Sequence, residues 1–346
     1  MMRLPWFRYR APRTAAEAAR ILAGEGPRAT AIAGGTDLLP NMKRRQQVPE
    51  TLVSLRHVEG LNRIANGSGL TLGAGLTLTE VVAAPVVSEN YRALWQAAVQ
   101  VATVHLRNMG TLGGNLCLDT RCNYYNQNYE WRKAIDFCLK KDGDICWVAT
   151  ASKRCVAVSS TDCAPALIAL GASVKLVSAA GEREVSAADL YHNDGIDYLT
   201  RRPDEILTEV RLPPAPGWKS SYWKLRRRGS FDFPVLGVAV AVRAAPDGTV
   251  EDARIVLGAV ASRPLATRAG DALIGKRLTD EAIAEAAAKA ASRAKPLDNA
   301  DLEIYWRKSV VGEFIAHALK EIRGDDVTAA RVRYARHALE IPIYPV

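Results

Sequence analysis

Six cysteines, Cys117, Cys122, Cys138, Cys146, Cys155 and Cys163, fall in one stretch of the chain and nowhere else. The middle four are spaced C-x15-C-x7-C-x8-C. Four thiolates at such positions can hold a [4Fe–4S] cluster. They can also hold zinc, although structural zinc sites favour close C-x2–4-C pairs and this spacing has none. A reducing compartment disfavours disulfides, and four packed structural thiols are a third reading. Spacing alone leaves cluster, zinc and packed thiols open. The same stretch carries Tyr124, Tyr125, Tyr129, Trp131, Phe137 and Trp147. Such rings can shield a cluster from water, and a loop of this length needs something to order it.

A second set of residues could bind a nucleotide cofactor. Gly34-Gly35-Thr36-Asp37 and Gly113-Gly114-Asn115 both read as glycine turns at strand ends. Glycine lets backbone N–H groups approach a pyrophosphate closely, and successive N–H groups form an anion-binding nest. Thr36, Asp37 and Asn115 can hydrogen-bond phosphate or ribityl groups. Neither turn is the G-x-G-x-x-G fingerprint, and a Gly-Gly pair is more often a plain turn, so the residues alone stop at a candidate nucleotide site. His105 and His192 have no paired nucleophile, and no side chain is expected to do acid–base chemistry.

The elements that must position these groups can be read from periodicity. Residues 1–57 open with a βαβ-like pattern. Thr14-Ala15-Ala16-Glu17 reads as a capping box before a helix running to Leu22 and Ala23, and residues 29–33 and 52–55 read as short strands. Residues 58–217 form a second region. It has a strand at 70–75, helices at 93–102 and 162–170, and strands at 172–177 and 205–212, with an insertion at about 116–158. A third region, 218–325, runs strands at 221–225, 235–242 and 253–260 into alanine-rich helices, notably 280–294. The tail, 326–346, reads as extended. Strands followed by helices predict an α+β chain.

Composition excludes some classes. Hydrophobic residues make up 48% and charged residues 24% of the 346 positions, the balance of a globular protein with several domains. No apolar run is long enough to span a bilayer, and the start lacks a secretory apolar region, which predicts a cytoplasmic protein. The net charge of +9 is spread along the chain without a recognition motif, so a solvated basic surface is expected rather than a nucleic-acid site.

Five blocks, in order, resemble the FAD-binding medium subunits of the xanthine oxidase and carbon monoxide dehydrogenase family. They are Ala33–Pro40 with Met42-Lys43, Arg107–Leu116, Asp162–Ala172, Glu205-Ile206-Leu207, and Tyr222–Arg228. The resemblance spans roughly residues 5–325. It implies a two-part FAD-binding domain of the PCMH/vanillyl-alcohol-oxidase type and a C-terminal α+β domain of the CO dehydrogenase flavoprotein type. By it, Ala31, Ile32, Ala33, Gly34, Gly35, Thr36 and Asp37, with Thr111, Gly113, Gly114 and Asn115, hold the FAD diphosphate. Asp162 binds the ribityl or flavin end, Leu207 and Lys224 line the isoalloxazine, and Val101 is a further cofactor-binding residue. A lysine there would stabilise an anionic reduced flavin; without the resemblance, Lys224 reads as a surface strand lysine.

The insertion, beginning Asn115–Gln127, resembles the loop of the family's 4-hydroxybenzoyl-CoA-reducing members, whose flavin subunit carries a [4Fe–4S] cluster there. That resemblance implies Cys122, Cys138, Cys146 and Cys155 as the ligands, with Cys117 and Cys163 as packed thiols. It implies a large molybdenum-cofactor subunit, a small subunit with two [2Fe–2S] clusters, ferredoxin as electron donor and a dimer of heterotrimers. Electrons would run from ferredoxin through cluster and FAD toward molybdenum. Two other readings stay open: an FAD subunit of a relative acting on another substrate, and a zinc-stapled basic interaction module.

Overall fold

The computed structural model describes residues 3–229 and 231–336. Three sheets are built in chain order. Strands β1 (Arg8–Arg10), β2 (Ala29–Ile32) and β3 (Thr51–Ser54) form a parallel sheet in the order β1-β3-β2. A parallel connection needs a crossover, and the Ala15–Glu25 helix supplies it between β1 and β2. Thr14 Oγ1 caps that helix by accepting from the Glu17 N–H at 3.1 Å. The reciprocal arm is displaced by one residue from the expected box, because the Glu17 carboxylate accepts from the Arg13 N–H. Ala18, Ala19 and Leu22 pack on Val53 and Ile206, tying this sheet to the next.

The second sheet contains β4 (Ile64–Asn66), β5 (Leu70–Gly73), β6 (Ser173–Ser178), β7 (Gly181–Ser186) and β8 (Ile206–Leu212) in the order β4-β5-β8-β6-β7, all antiparallel. The third contains β9 (Trp218–Leu225), β10 (Leu236–Ala244), β11 (Val250–Gly258) and β12 (Leu265–Thr267) in the order β12-β11-β10-β9, also antiparallel. Strand alternation sends β9–β11 to two cores. Tyr222, Ala239, Ala241 and Val256 face the core shared with the buried Cys163–Ala169 helix. Trp223, Val238, Val240 and Ile255 face the Asp280–Arg293 and Ile304–Arg323 helices.

The C-terminal end differs from the sequence expectation. The Ile304–Arg323 helix has no counterpart in that expectation. The Glu303 carboxylate caps its start, accepting from the Tyr305 and Trp306 N–H groups at 2.9 and 2.7 Å, and Gly324 at φ 110° ends it. The expected extended tail is also corrected: Thr328–Arg336 is a helix. Its start is fixed by the Asp326 carboxylate accepting from the Thr328 N–H, and Tyr334 buries its ring against Phe314 at 4.5 Å. Residues 337–346 of that tail lie outside the described residues. Among the described residues, no helix is long and apolar enough to cross a membrane.

The cysteine-rich insertion leaves the second sheet's domain through a narrow neck. Arg121 and Val158 exchange both backbone hydrogen bonds, at 2.8 and 2.7 Å. Beyond the neck the chain is irregular apart from the Tyr129–Ala134 helix.

Candidate functional site

The first glycine turn follows β2 directly. Gly35 has φ 72°, a left-handed conformation that favours glycine. Gly34 lies against the backbone of the second motif, where a Cβ would overlap the Met109 carbonyl oxygen. The two turns, far apart in sequence, are therefore one structural unit. Among the described residues, the N–H groups of Gly34, Gly35, Thr36 and Asp37 have no hydrogen-bond acceptor. These four consecutive, half-buried donors form the kind of nest that takes an anion.

The second motif spends its amides internally. The Gly113 N–H donates to the Ala74 carbonyl at 2.8 Å, and the Gly114 N–H to Thr111 Oγ1 at 3.0 Å, capping the Leu112–Leu116 helix. Asn115 Oδ1 accepts from Thr161 Oγ1 at 2.7 Å and from the Cys163 N–H at 3.1 Å. The motif thus anchors the Asp162 segment.

Asp162 and Lys224 form a buried ion pair at 2.9 Å. Tyr222 donates its hydroxyl to the other Asp162 oxygen at 2.8 Å, and Lys224 Nζ also donates to the Gln100 carbonyl at 3.0 Å. Burial pushes the Asp162 pKa up, and Lys224 opposes that shift; burial pulls the Lys224 pKa down, and Asp162 opposes that one. The surface-lysine reading of Lys224 is excluded, since its side chain is fully covered. Val101 follows Gln100 and is half-buried; its carbonyl accepts from Arg107 Nη1 at 2.8 Å. Leu207 is buried on β8, next to Thr208, whose carbonyl takes the Ala74 N–H at 2.9 Å. Ala31 and Ile32 lie in β2 and Ala33 directly follows it, leading into the nest.

The four spaced cysteines meet. Cys122, Cys138, Cys146 and Cys155 are buried and line one pocket with Tyr124, Tyr125, Lys140, Trp147, Val148 and Ala157. All six cysteines are free thiols, and neither Cys117 nor Cys163 lines that pocket. Backbone N–H groups of Tyr124 and Tyr125 point at the Cys122 sulfur, and the Ala157 N–H donates to Cys155 Sγ at 3.4 Å. Burial pushes Cys122 up to about 12 and Cys155 up to about 11 against these donors. Among the described residues, no group of three or more His, Cys, Asp or Glu side chains is arranged to hold a metal ion.

The comparisons with known proteins decide the family. Residues 5–215 match the FAD binding domain in molybdopterin dehydrogenase, and residues 220–322 match the CO dehydrogenase flavoprotein C-terminal domain. The chain belongs to the xanthine oxidase and CO dehydrogenase family, as an FAD-binding medium subunit. It is 34% identical over 281 residues to the aldehyde oxidoreductase FAD-binding subunit of Escherichia coli, covering 78% of this chain and 86% of that one. It is 28% identical over 319 residues to the carbon monoxide dehydrogenase medium chain of Hydrogenophaga pseudoflava, covering 91% and 96%. The solved carbon monoxide dehydrogenase from that organism superposes with a TM-score of 0.76 at 28% identity, covering 92% and 98%. Quinoline 2-oxidoreductase from Pseudomonas putida gives 0.74 at 27%, covering 93% and 99%. The expected α+β architecture, a two-part FAD-binding domain and a CO dehydrogenase-type C-terminal domain, is borne out.

Sequence reasoning missed the groups that join the medium subunit's first glycine turn to the thiol pocket. The buried Arg121 pairs with Asp37 and donates to Asn41 Oδ1 at 3.2 Å, while the Asp119 N–H reaches Asp37 Oδ2 at 3.4 Å. Asp37 is therefore held by the loop as well as by its own turn. Lys140 pairs with Asp119 at 2.8 Å. The available signal was a set of charges, Asp119, Arg121 and Lys140, interleaved with cysteines and aromatics; their side chains prove to be buried.

Proposed function

We propose that this medium subunit carries FAD and a [4Fe–4S] cluster in a molybdenum-containing 4-hydroxybenzoyl-CoA reductase. The observation that carries the reading is the convergence of Cys122, Cys138, Cys146 and Cys155 on one pocket, on a loop rooted between two segments of the flavin cradle. Both groups meet donors that suit them. The free N–H groups of residues 34–37 suit the FAD diphosphate. Ala31, Ile32 and Ala33 lead into that turn, Thr111, Gly113, Gly114 and Asn115 back it, and Val101, Asp162, Leu207 and Lys224 form the flavin end.

The thiol pocket suits a cluster better than zinc. Structural zinc sites use close C-x2–4-C pairs, and the C-x15-C-x7-C-x8-C spacing has none. The N–H donors on Cys122 and Cys155 would stabilise thiolate sulfur. When bound, the cluster and FAD supply one-electron and two-electron carriers. Burial keeps water from the sulfurs, and Asp162 holds the Lys224 ammonium in place at the flavin end.

This reading takes as partners a large molybdenum-cofactor subunit, a small subunit with two [2Fe–2S] clusters and ferredoxin as donor, in a cytoplasmic dimer of heterotrimers. The substrate sits on the large subunit. A second reading, an FAD subunit acting with another hydroxylase, draws support from the 34% identity to an aldehyde oxidoreductase subunit. Assaying the purified complex anaerobically separates them. Reduction of 4-hydroxybenzoyl-CoA to benzoyl-CoA, with no turnover of aldehydes, purines or nicotinate, is expected; the reverse pattern sinks the substrate assignment.

A further inference from the structure

Among the described residues, Lys140 is the one charged residue that lines the thiol pocket. Its side chain is buried, and its ammonium has three oxygen partners: Asp119 Oδ1 at 2.8 Å, Thr120 Oγ1 at 2.7 Å and the Gly195 carbonyl at 2.5 Å. Three partners use all three ammonium protons. The ammonium also sits over two rings, Tyr125 at 4.7 Å and Tyr198 at 5.4 Å. The charge is thus fixed in place by groups from the loop and from the 191–199 segment.

The pair with Asp119 does not cancel this charge at the pocket. Asp119 is buried, and its second oxygen accepts from the Tyr125 hydroxyl at 2.8 Å and from Gln47 Nε2 at 3.1 Å. Asp119 does not line the pocket, whereas Lys140 does. Lys140 is thus the member of the pair at the pocket wall, close enough for its charge to act on Cys155, while the Asp119 carboxylate is engaged by Tyr125 and Gln47. Gly195, which accepts from Lys140, also touches Cys155: its N–H donates to the Cys155 carbonyl at 2.9 Å.

We propose that Lys140 is a positioning residue whose fixed charge sets the reduction potential of the cluster held by the four cysteines. The inference rests on the cluster reading given above. Reduction adds one electron from a low-potential donor and breaks no bond, leaving a thiolate-bound group one charge more negative. A cation buried at the pocket wall favours that reduced state, and the low-dielectric surroundings strengthen its effect.

The test uses the whole purified complex, handled anaerobically. Iron and sulfide are measured first. Dithionite titration then follows the cluster by electron paramagnetic resonance and the flavin by absorbance, for wild type, Lys140→Gln, Lys140→Arg and Asp119→Asn. The expected result is a lower cluster midpoint in Lys140→Gln, a midpoint close to wild type in Lys140→Arg, and a higher one in Asp119→Asn. The flavin midpoint stays put in Lys140→Gln. A Lys140→Gln enzyme with full iron and an unmoved cluster midpoint overturns the proposal and leaves the cluster reading standing. If Lys140→Gln loses its iron, Asp119→Asn decides: an upward shift supports the proposal and none overturns it. Wild type with no more iron and sulfide than a Cys146→Ser complex overturns the cluster reading, and this inference with it.

Discussion

Gly195 and Cys155 are packed so closely that a Cβ on Gly195 would stand 2.6 Å from the Cys155 sulfur. Gly195 belongs to the 191–199 segment of the main domain, so the inserted loop and its host have been fitted to each other at this point. Gly195→Ala should displace Cys155 and cost roughly 1–3 kcal/mol of overpacking. The expected phenotype is loss of iron with FAD retained, read by metal and flavin analysis. Gly67→Ala, where a Cβ meets nothing within 4 Å, is the control and should keep both.

Gly34→Ala should do the opposite. A methyl there must separate the first turn from the Met109 carbonyl and open the nest. The flavin-to-protein ratio should fall sharply while iron stays bound. Retention of stoichiometric FAD would argue that the first turn is not the diphosphate seat.

The Asp162–Lys224 pair predicts a strongly non-additive cycle. Each single change, Asp162→Asn or Lys224→Met, leaves a buried group without its partner and should cost about 3–5 kcal/mol. The double variant should cost clearly less than the sum, because it removes both charges together. Denaturant unfolding of the four proteins measures this; additive losses would mean that the pair does not act as a unit.

Glu321 gives a pH dependence with a definite sign. Burial alone would raise its pKa, but hydrogen bonds from Arg331 and Ser221 and the Arg331 charge outweigh burial and hold it below the usual carboxylate range. A depressed folded-state pKa contributes stability that is present above the unfolded value, about 4.3, and is lost as pH falls through the folded one. Glu321 also accepts from Gln96 Nε2 at 2.9 Å and Trp223 Nε1 at 3.1 Å, so it joins three segments. Wild type should melt above Glu321→Gln at neutral pH, with the gap closing below roughly pH 4. A gap that is constant with pH would show that the carboxylate charge is not what matters.

Much of the scaffold is legible in the sequence because its signals are local. The apolar runs in β2, β3, β6, β8 and β10 announce strands, and Thr279 with Asp280 and Glu281 opens an alanine-rich helix where one is expected. The four spaced cysteines are legible as a set, but their convergence depends on the neck at Arg121 and Val158, which is a tertiary contact. The Thr328–Arg336 stretch reads as extended because the tail it belongs to ends in Pro342-Ile343-Tyr344-Pro345; the helix is held by Tyr334 and Arg331 docking on the preceding helix. Lys224 looks like a surface residue because nothing near it in sequence reveals Asp162, 62 positions away. Buried charge on a strand is decided by partners, and partners are non-local.

The most direct measurement is the content of the anaerobically purified complex: iron, acid-labile sulfide, zinc and FAD, after correction for the iron of the other subunits by comparison with a Cys146→Ser complex. A cluster on the four cysteines predicts that wild type exceeds the variant by about four iron and four sulfide per FAD, with FAD unchanged. Equal iron in the two complexes, or zinc in place of iron, would contradict it.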